Sequence, residues 1–161
     1  MNATGSHPTN EPEIVTLPAM TVALVREVVP MNELTGFFSR AYQTVAQTLG
    51  EQGITMTGPP LGVYFGMPTD TVDVAAGFPT DGPVKAEKGV AAETLPGGPA
   101  AQIVHVGSYD SIQETYARLT TWLEDQNLRG GPIMWETYLT EPTPGGDQRD
   151  MLTRITWPLA D

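Results

Sequence analysis

The sequence predicts an α+β fold in which a β-α-β-β unit occurs twice and forms antiparallel sheets. Three observations predict it. Gly and Pro residues recur in the same order in the two halves, each half has one long amphipathic segment, and β-rich segments flank it. The predicted repeats are about 14–79 and 90–158. Because each helix is apolar along one stripe only, we expect the helices on one face and a ligand cleft at the seam between the halves.

The first half follows a polar segment, residues 1–12, which we expect to be a disordered tail ahead of a single domain at 13–161. Apolar side chains at three- and four-residue spacing predict its helix, which Asn32 can cap and Gly50 or Gly53 can end. The predicted elements are a β-rich segment at 14–29 that is broken at Pro18, a helix at 32–50, and strands near 61–66 and 71–78.

The second half repeats this order after a Pro- and Gly-rich connection at 80–100. Asp110 or Ser111 can cap its helix, whose apolar stripe includes Tyr116, and we interpret Tyr116 and Trp122 as core residues. The predicted elements are a strand at 101–107, a helix at 111–127, and strands near 133–140 and 150–157 that are joined by a turn at 144–147.

Composition excludes several classes of function. The 161 residues include 8 basic and 19 acidic ones, a net charge of −11, which argues against a nucleic-acid partner. The acidic balance suits the attraction of cations, and it also suits solubility alone. There are no cysteines, so thiol chemistry and cysteine metal sites are excluded. Without a signal pattern or a long apolar run, we expect a cytoplasmic protein with no membrane contact.

Neither histidine predicts a metal site. His105 lies within a predicted strand and His7 in the polar tail, and no clustered carboxylate accompanies either of them. No phosphate-binding or dinucleotide-binding glycine motif is present. We therefore predict no cofactor and no metal.

The strand at 133–139 contains Glu136, the residue that best supports a prediction of function. Alternation puts Ile133, Trp135, Thr137 and Leu139 on one face, which we expect to pack under the helices. The opposite face then presents Met134, Glu136 and Tyr138 to the cleft.

The duplicated pattern adds an aromatic residue to this face. Aligning Pro60 with Pro132 places Tyr64 at the position of Glu136, and Gly62 and Gly66 leave room beside the Tyr64 ring. One carboxylate among phenol rings and a thioether is an environment suited to a flat organic cation.

An alternative interpretation gives Glu136 a structural role. If the final hairpin is centred near Gly145, Glu136 lies across from Arg154, and the two form a cross-strand salt bridge that neutralises the site.

Several segments together resemble the GyrI-like small-molecule-binding domains. They are Leu17-Pro18, GPPLGVY at 58–64, HVGSY at 105–109 and PIMWETYLTEP at 132–142. Such domains bind effectors in AraC-type and MerR-type transcription regulators and also occur as stand-alone proteins. The resemblance covers about 13–159. It implies that Glu136 contacts lipophilic, often cationic ligands among surrounding side chains, here Tyr138, Met134, Tyr64, Trp135 and Tyr109.

The resemblance leaves three functions open. The first is a stand-alone binder of a lipophilic, cationic molecule. The second is a hydrolase that opens strained cyclopropane rings of genotoxic compounds, with Glu136 and Tyr138 as catalytic residues. The third is a gyrase-inhibitor-like interaction module, which a large exposed apolar patch would indicate. No helix-turn-helix or basic region precedes residue 13, so we expect a domain that acts alone or through a separate regulatory protein. We also expect a monomer or weak dimer.

Overall fold

The computed structural model describes residues 11–66, 69–107, 111–140 and 151–160. These residues form eight strands and two α-helices, with one turn of 3₁₀ helix at Met31–Glu33. In chain order the elements are β1 (Glu13–Leu17), β2 (Met20–Pro30), α1 (Leu34–Gln52), β3 (Leu61–Phe65), β4 (Thr71–Pro79), β5 (Val90–Leu95), β6 (Gly98–Val106), α2 (Ile112–Asp125), β7 (Ile133–Tyr138) and β8 (Leu152–Pro158).

All eight strands belong to one curled antiparallel sheet, in the order β1-β6-β8-β7-β3-β4-β2-β5. The predicted α+β class with antiparallel pairing is confirmed. Strands β3 and β7 pair at the centre of the sheet. The middle of the sheet is thus where the N-terminal and C-terminal parts of the chain meet.

Both predicted helices are present, with small shifts at their ends. Helix α1 ends at Gly53, which has a φ of 69° and donates its backbone N–H to Gly50. This left-handed conformation is the one in which glycine avoids steric cost. Asn32 lies in the 3₁₀ turn before the helix and is not its cap, which is Glu33. Among the described residues, neither helix is long and apolar enough to cross a bilayer.

The edge strands join the two halves of the chain. Strand β1 pairs with β6 and strand β5 pairs with β2, so each edge strand pairs with the half of the chain to which it does not belong. The predicted connection at 80–100 does link the halves, but it also contains a strand that was not predicted, β5. The strand order is symmetric about β3 and β7, but division into two repeats stays a prediction, which superposition of residues 14–79 on 90–158 would test.

Both helices pack on the same face of the sheet. Helix α1 buries Phe37 against β4, and helix α2 buries Leu119 against β6 and β8. One row of directly paired residues runs beneath both helices, and its members therefore share a face. That row is Val25, Ala76, Gly62, Glu136, Ile155 and Ile103.

The opposite, helix-free face has a core of its own. Val63, Trp135 and Leu95 of β5 are buried there, and Leu17 of β1 is partly buried and packs against them. Since β1 and β5 are the two edges of the sheet, their shared cluster indicates that the sheet curls toward this face.

The predicted faces of β7 are therefore reversed. Trp135 and Thr137 lie on the helix-free face, while Met134 packs in the cluster beneath α2. Alternation separates the two faces correctly, but it does not show which one the helices cover. The curled sheet also buries apolar residues on its helix-free face. The more apolar face of β7 is therefore not the one beneath the helices.

Candidate functional site

Glu136 lies in the middle of β7, directly between Gly62 of β3 and Ile155 of β8. Its residue surface is only 2% exposed, on the face that both helices cover. An ionised carboxyl group at such a position is costly unless hydrogen bonds or a counter-charge stabilise it. Its immediate surroundings therefore decide what the site can bind.

Two tyrosine hydroxyl groups donate hydrogen bonds to the carboxylate. The Tyr138 hydroxyl lies 2.8 Å from Oε1, as its position two residues along the same strand face allows. The Tyr116 hydroxyl donates to Oε2 from α2. Hydrogen bonds to an ionised acceptor are among the stronger ones in proteins, so the two tyrosines stabilise the negative charge.

Helix α1 supplies the aromatic side of the site. The ring of Phe38 meets that of Tyr138 edge-on, with centroids 6.3 Å apart, and lies nearly parallel to Tyr42 at 5.9 Å. Tyr42 in turn donates its hydroxyl to the Leu61 carbonyl at 3.2 Å. The carboxylate is thus linked to α2 directly through Tyr116 and to α1 through the ring contact of Tyr138 with Phe38.

Gly62 provides the space for this arrangement. A β carbon at this position would lie 2.9 Å from Cε1 of Phe38 and 3.2 Å from the Tyr138 hydroxyl oxygen. Both distances are shorter than ordinary van der Waals contact. The absence of a side chain directly beside Glu136 therefore lets Phe38 and Tyr138 approach each other.

The predicted site residues are divided between the two faces. Glu136 and Tyr138 lie together, and the pair Tyr64 and Met134 occupies the same face one step along β3 and β7. Tyr64 packs against the α1 cluster. Trp135 faces the other side of the sheet at 4% exposure, so the structure does not bring it to Glu136. Tyr109 and the turn at 144–147 lie outside the described residues.

Two aromatic residues of the site, Tyr116 and Phe38, were not predicted from the sequence. The apolar stripe of α2 predicts a core role for Tyr116, yet its hydroxyl donates to Glu136. Both residues lie on the apolar stripes of their helices, and stripe residues point at the sheet. A polar hydroxyl at the end of a stripe residue is the signal that would have suggested a partner on the sheet.

The register of the final hairpin rules out the structural alternative. Glu136 is paired with Ile155, and Arg154 is paired with Thr137. Neighbouring residues on a strand point to opposite faces, so Arg154 lies on the helix-free face. The predicted cross-strand salt bridge between Glu136 and Arg154 is therefore wrong, because the actual register differs by one residue.

The His105 side chain, on β6, contacts two residues at the start of α2. It is 4% exposed, and its Nδ1 lies 2.6 Å from the Thr115 hydroxyl, with Ser111 Oγ 3.4 Å from Nε2. No group of three or more potential metal-ligating residues occurs among the described residues.

The model of the GyrI-like small molecule binding domain matches residues 10–160, nearly the whole chain. The chain belongs to the GyrI-like family. No curated protein matches it. The predicted resemblance is thereby confirmed, and it fixes the general role of this GyrI-like domain as small-molecule binding.

Solved structures share the fold at low sequence identity. The C-terminal domain of EcmrR has a TM-score of 0.80 and 20% identity, over 93% of this chain and 97% of that one. The EcmrR chain in its complex with DNA is also similar, with a TM-score of 0.78 and 21% identity. This likeness covers 92% of the present chain and 57% of the longer EcmrR chain.

Two further structures of the same fold are a hydrolase and a protein bound to an organic cation. A hydrolase from Listeria innocua has a TM-score of 0.68 and 16% identity, over 96% of this chain and 94% of that one. SAV2435 bound to tetraphenylphosphonium has a TM-score of 0.68 and 14% identity, over 93% and 94%. At these identities the likeness concerns the fold.

Proposed function

We propose that this GyrI-like domain binds a lipophilic organic cation beside Glu136. The observation that carries the proposal is a carboxylate that is 2% exposed and accepts two tyrosine hydroxyls, one of them from Tyr138, whose ring meets Phe38 of α1. Aromatic faces attract a cation through their quadrupoles, and a carboxylate in a site of low dielectric adds a counter-charge. Together they favour a flat or globular cation with apolar substituents over a neutral molecule.

The path to the carboxylate runs past half-buried side chains. Phe38, Tyr42, Tyr116 and Tyr138 are each partly accessible to solvent, whereas Glu136 is not. A ligand therefore meets the aromatic rings first and reaches the charge when those rings move aside. The bound tetraphenylphosphonium of SAV2435, a protein of the same fold, makes this cation a suitable first probe.

Isothermal titration calorimetry with two isosteric ions tests the proposal. Tetraphenylphosphonium and tetraphenylborate have nearly the same shape and opposite charge. We expect the wild type to bind the cation and to discriminate against the anion. Glu136→Gln should weaken cation binding by about 2–5 kcal/mol, because it removes a buried charge partner. Glu114→Gln, which removes an exposed carboxylate in the first turn of α2, is the matched control and should change little.

The outcome that contradicts cation binding is specific. If wild type and Glu136→Gln bind tetraphenylphosphonium equally well, the carboxylate is not its charge partner. Circular dichroism and thermal unfolding of both variants separate this result from a loss of fold.

A second candidate is hydrolysis of a strained ring, favoured by the 2.8 Å contact of Tyr138 with Glu136. Glu136 would accept a proton from a water that attacks a cyclopropane carbon. The ring bond would break toward a conjugated oxygen, which Tyr138 or Tyr64 would stabilise by hydrogen bonding. Glu136→Gln should then slow ring opening by roughly 10²–10⁴-fold. Chromatography that shows no wild-type rate above buffer with several cyclopropane alkylators would leave binding as the function.

We propose that any regulatory action of the domain runs through a separate cytoplasmic protein. The net charge of −11 opposes direct contact with nucleic acid. EcmrR, whose C-terminal domain shares the fold, is known in complex with DNA as a longer chain.

A further inference from the structure

The helix-free face of the sheet contains a cavity of about 290 Å³. We call it the inner cavity, and it lies on the side of β7 opposite to Glu136. Its lining includes Arg154, Gln102, Thr137, Thr156, Trp135 and Leu61. The pairing Thr137–Arg154 and the neighbouring pair Trp135–Thr156 put these groups on adjacent strands of one face.

Arg154 is the one ionisable residue among the described residues that line the inner cavity. It is half-buried, and none of the described residues forms an ion pair or hydrogen bond with its guanidinium group. A partly desolvated charge without a partner is unfavourable, and an anionic ligand would remove that cost. The planar guanidinium group offers paired donors that match the two oxygens of a carboxylate.

The groups around Arg154 are neutral hydrogen-bonding and apolar side chains. The Gln102 amide donates to the Thr156 hydroxyl at 3.0 Å, which fixes both side chains beside the cavity. Trp135 and Leu61 supply apolar surface. We propose that the inner cavity is a second ligand site, which takes a small aromatic carboxylate with its carboxylate group on Arg154 and its ring against Trp135 and Leu61.

The size of the cavity limits the ligand. A volume of about 290 Å³ is at the low end of small-molecule sites. It therefore suits a compound of one or two rings. The site differs from the Glu136 site in position, since neighbouring residues of β7 face opposite sides, and in the sign of its charge.

Titration calorimetry with 2-naphthoate and its neutral amide, 2-naphthamide, tests the inner cavity. We expect the wild type to bind naphthoate more tightly than the amide. Arg154→Met, which keeps an unbranched apolar stem and removes the guanidinium group, should weaken naphthoate binding roughly 10- to 100-fold, as expected for lost hydrogen bonds to a charged group. The affinity of Arg154→Lys for naphthoate should lie between those of the wild type and Arg154→Met, because lysine keeps the charge without the paired donors. Arg118→Met, at an exposed position of α2, is the matched control and should bind like the wild type.

Chemical-shift mapping locates the bound naphthoate independently of any variant. The indole signal of Trp135 and the amide signals of Thr137 and Thr156 should shift in the wild type. Tetraphenylphosphonium affinity should be unchanged in Arg154→Met, which separates this site from the one proposed at Glu136. The proposal is overturned if the wild type does not bind naphthoate, if Arg154→Met binds it equally, or if the shifts cluster at Tyr116 and Tyr138. If Arg154→Met does not fold, the mapping and Arg154→Lys decide.

Discussion

Gly62→Ala perturbs the candidate site without touching its charge. The glycine lies directly beside Glu136 on the neighbouring strand. Its added methyl group would point at Phe38 and Tyr138, the two aromatic residues that meet edge-on there. We expect the variant to lose stability and to bind tetraphenylphosphonium more weakly.

The magnitude follows from two opposing effects. Alanine restricts the unfolded chain, and this favours the folded variant by roughly 0.5–1 kcal/mol. Against this, the new β carbon would lie 2.9 Å from the Phe38 ring, so the ring must move by a few tenths of an ångström. Phe38 is held by Phe37 at 5.7 Å and Tyr42 at 5.9 Å, so this movement disturbs packed rings. Overpacking of this kind costs about 1–3 kcal/mol. The expected net loss is about 1 kcal/mol, which is a fall in Tm of roughly 2–4 °C for a domain of this size.

Urea unfolding followed by circular dichroism measures the change in the free energy of unfolding. The matched control is Gly36→Ala on α1, where an added β carbon meets nothing within 4 Å. It should stabilise the protein by about 0.5–1 kcal/mol, because alanine favours the helix. If Gly62→Ala stabilises the protein as much as Gly36→Ala does, the idea that Gly62 makes room for the aromatic pair is wrong.

Two further predictions concern stability away from the site. Thr48 is fully buried in α1, and its hydroxyl has no hydrogen-bond partner among the described residues. Thr48→Val should therefore raise the free energy of unfolding by about 1 kcal/mol. If urea unfolding shows that the variant has a lower free energy of unfolding than the wild type, the hydroxyl does have a partner. Arg26 donates two hydrogen bonds to Asp73, at 2.9 and 2.8 Å, and these bonds lower the pKa of the Asp73 carboxyl group. Because the pair is largely exposed, Asp73→Asn should cost only about 0.5 kcal/mol. This contribution is present above the unfolded pKa of about 4 and disappears as pH falls through the lower folded value, so a difference between wild type and variant that persists at pH 2 would contradict it.

The helices and most strands could be predicted because their signals are local. An apolar stripe at helical spacing marked α1 and α2, and alternation marked β7. Strand β5 escaped prediction because it gains its place by pairing with β2, far away in sequence, and its neighbours are rich in Pro and Gly. Pairing of this kind depends on tertiary structure, which local composition does not report.

The candidate site was only partly predictable for a similar reason. Glu136 and Tyr138 follow from one strand, since two residues of the same strand share a face. Tyr116 joins them from α2, and only the packing of that helix on the sheet brings its hydroxyl to the carboxylate. The role of Arg154 depended on a hairpin register, and a shift of one residue moves a side chain to the other face.

Each edge strand pairs with the other half of the chain, and this pairing affects how the protein folds. Neither half completes its own part of the sheet, since β1 requires β6 and β5 requires β2. Folding therefore closes long loops before either edge is protected, which is expected to be slow and to proceed as one cooperative event. A chain cut between β4 and β5 would leave two fragments, each with an unpaired edge that the other fragment complements. Mixed together, such fragments should reassemble by strand pairing, and kept apart they should tend to self-associate.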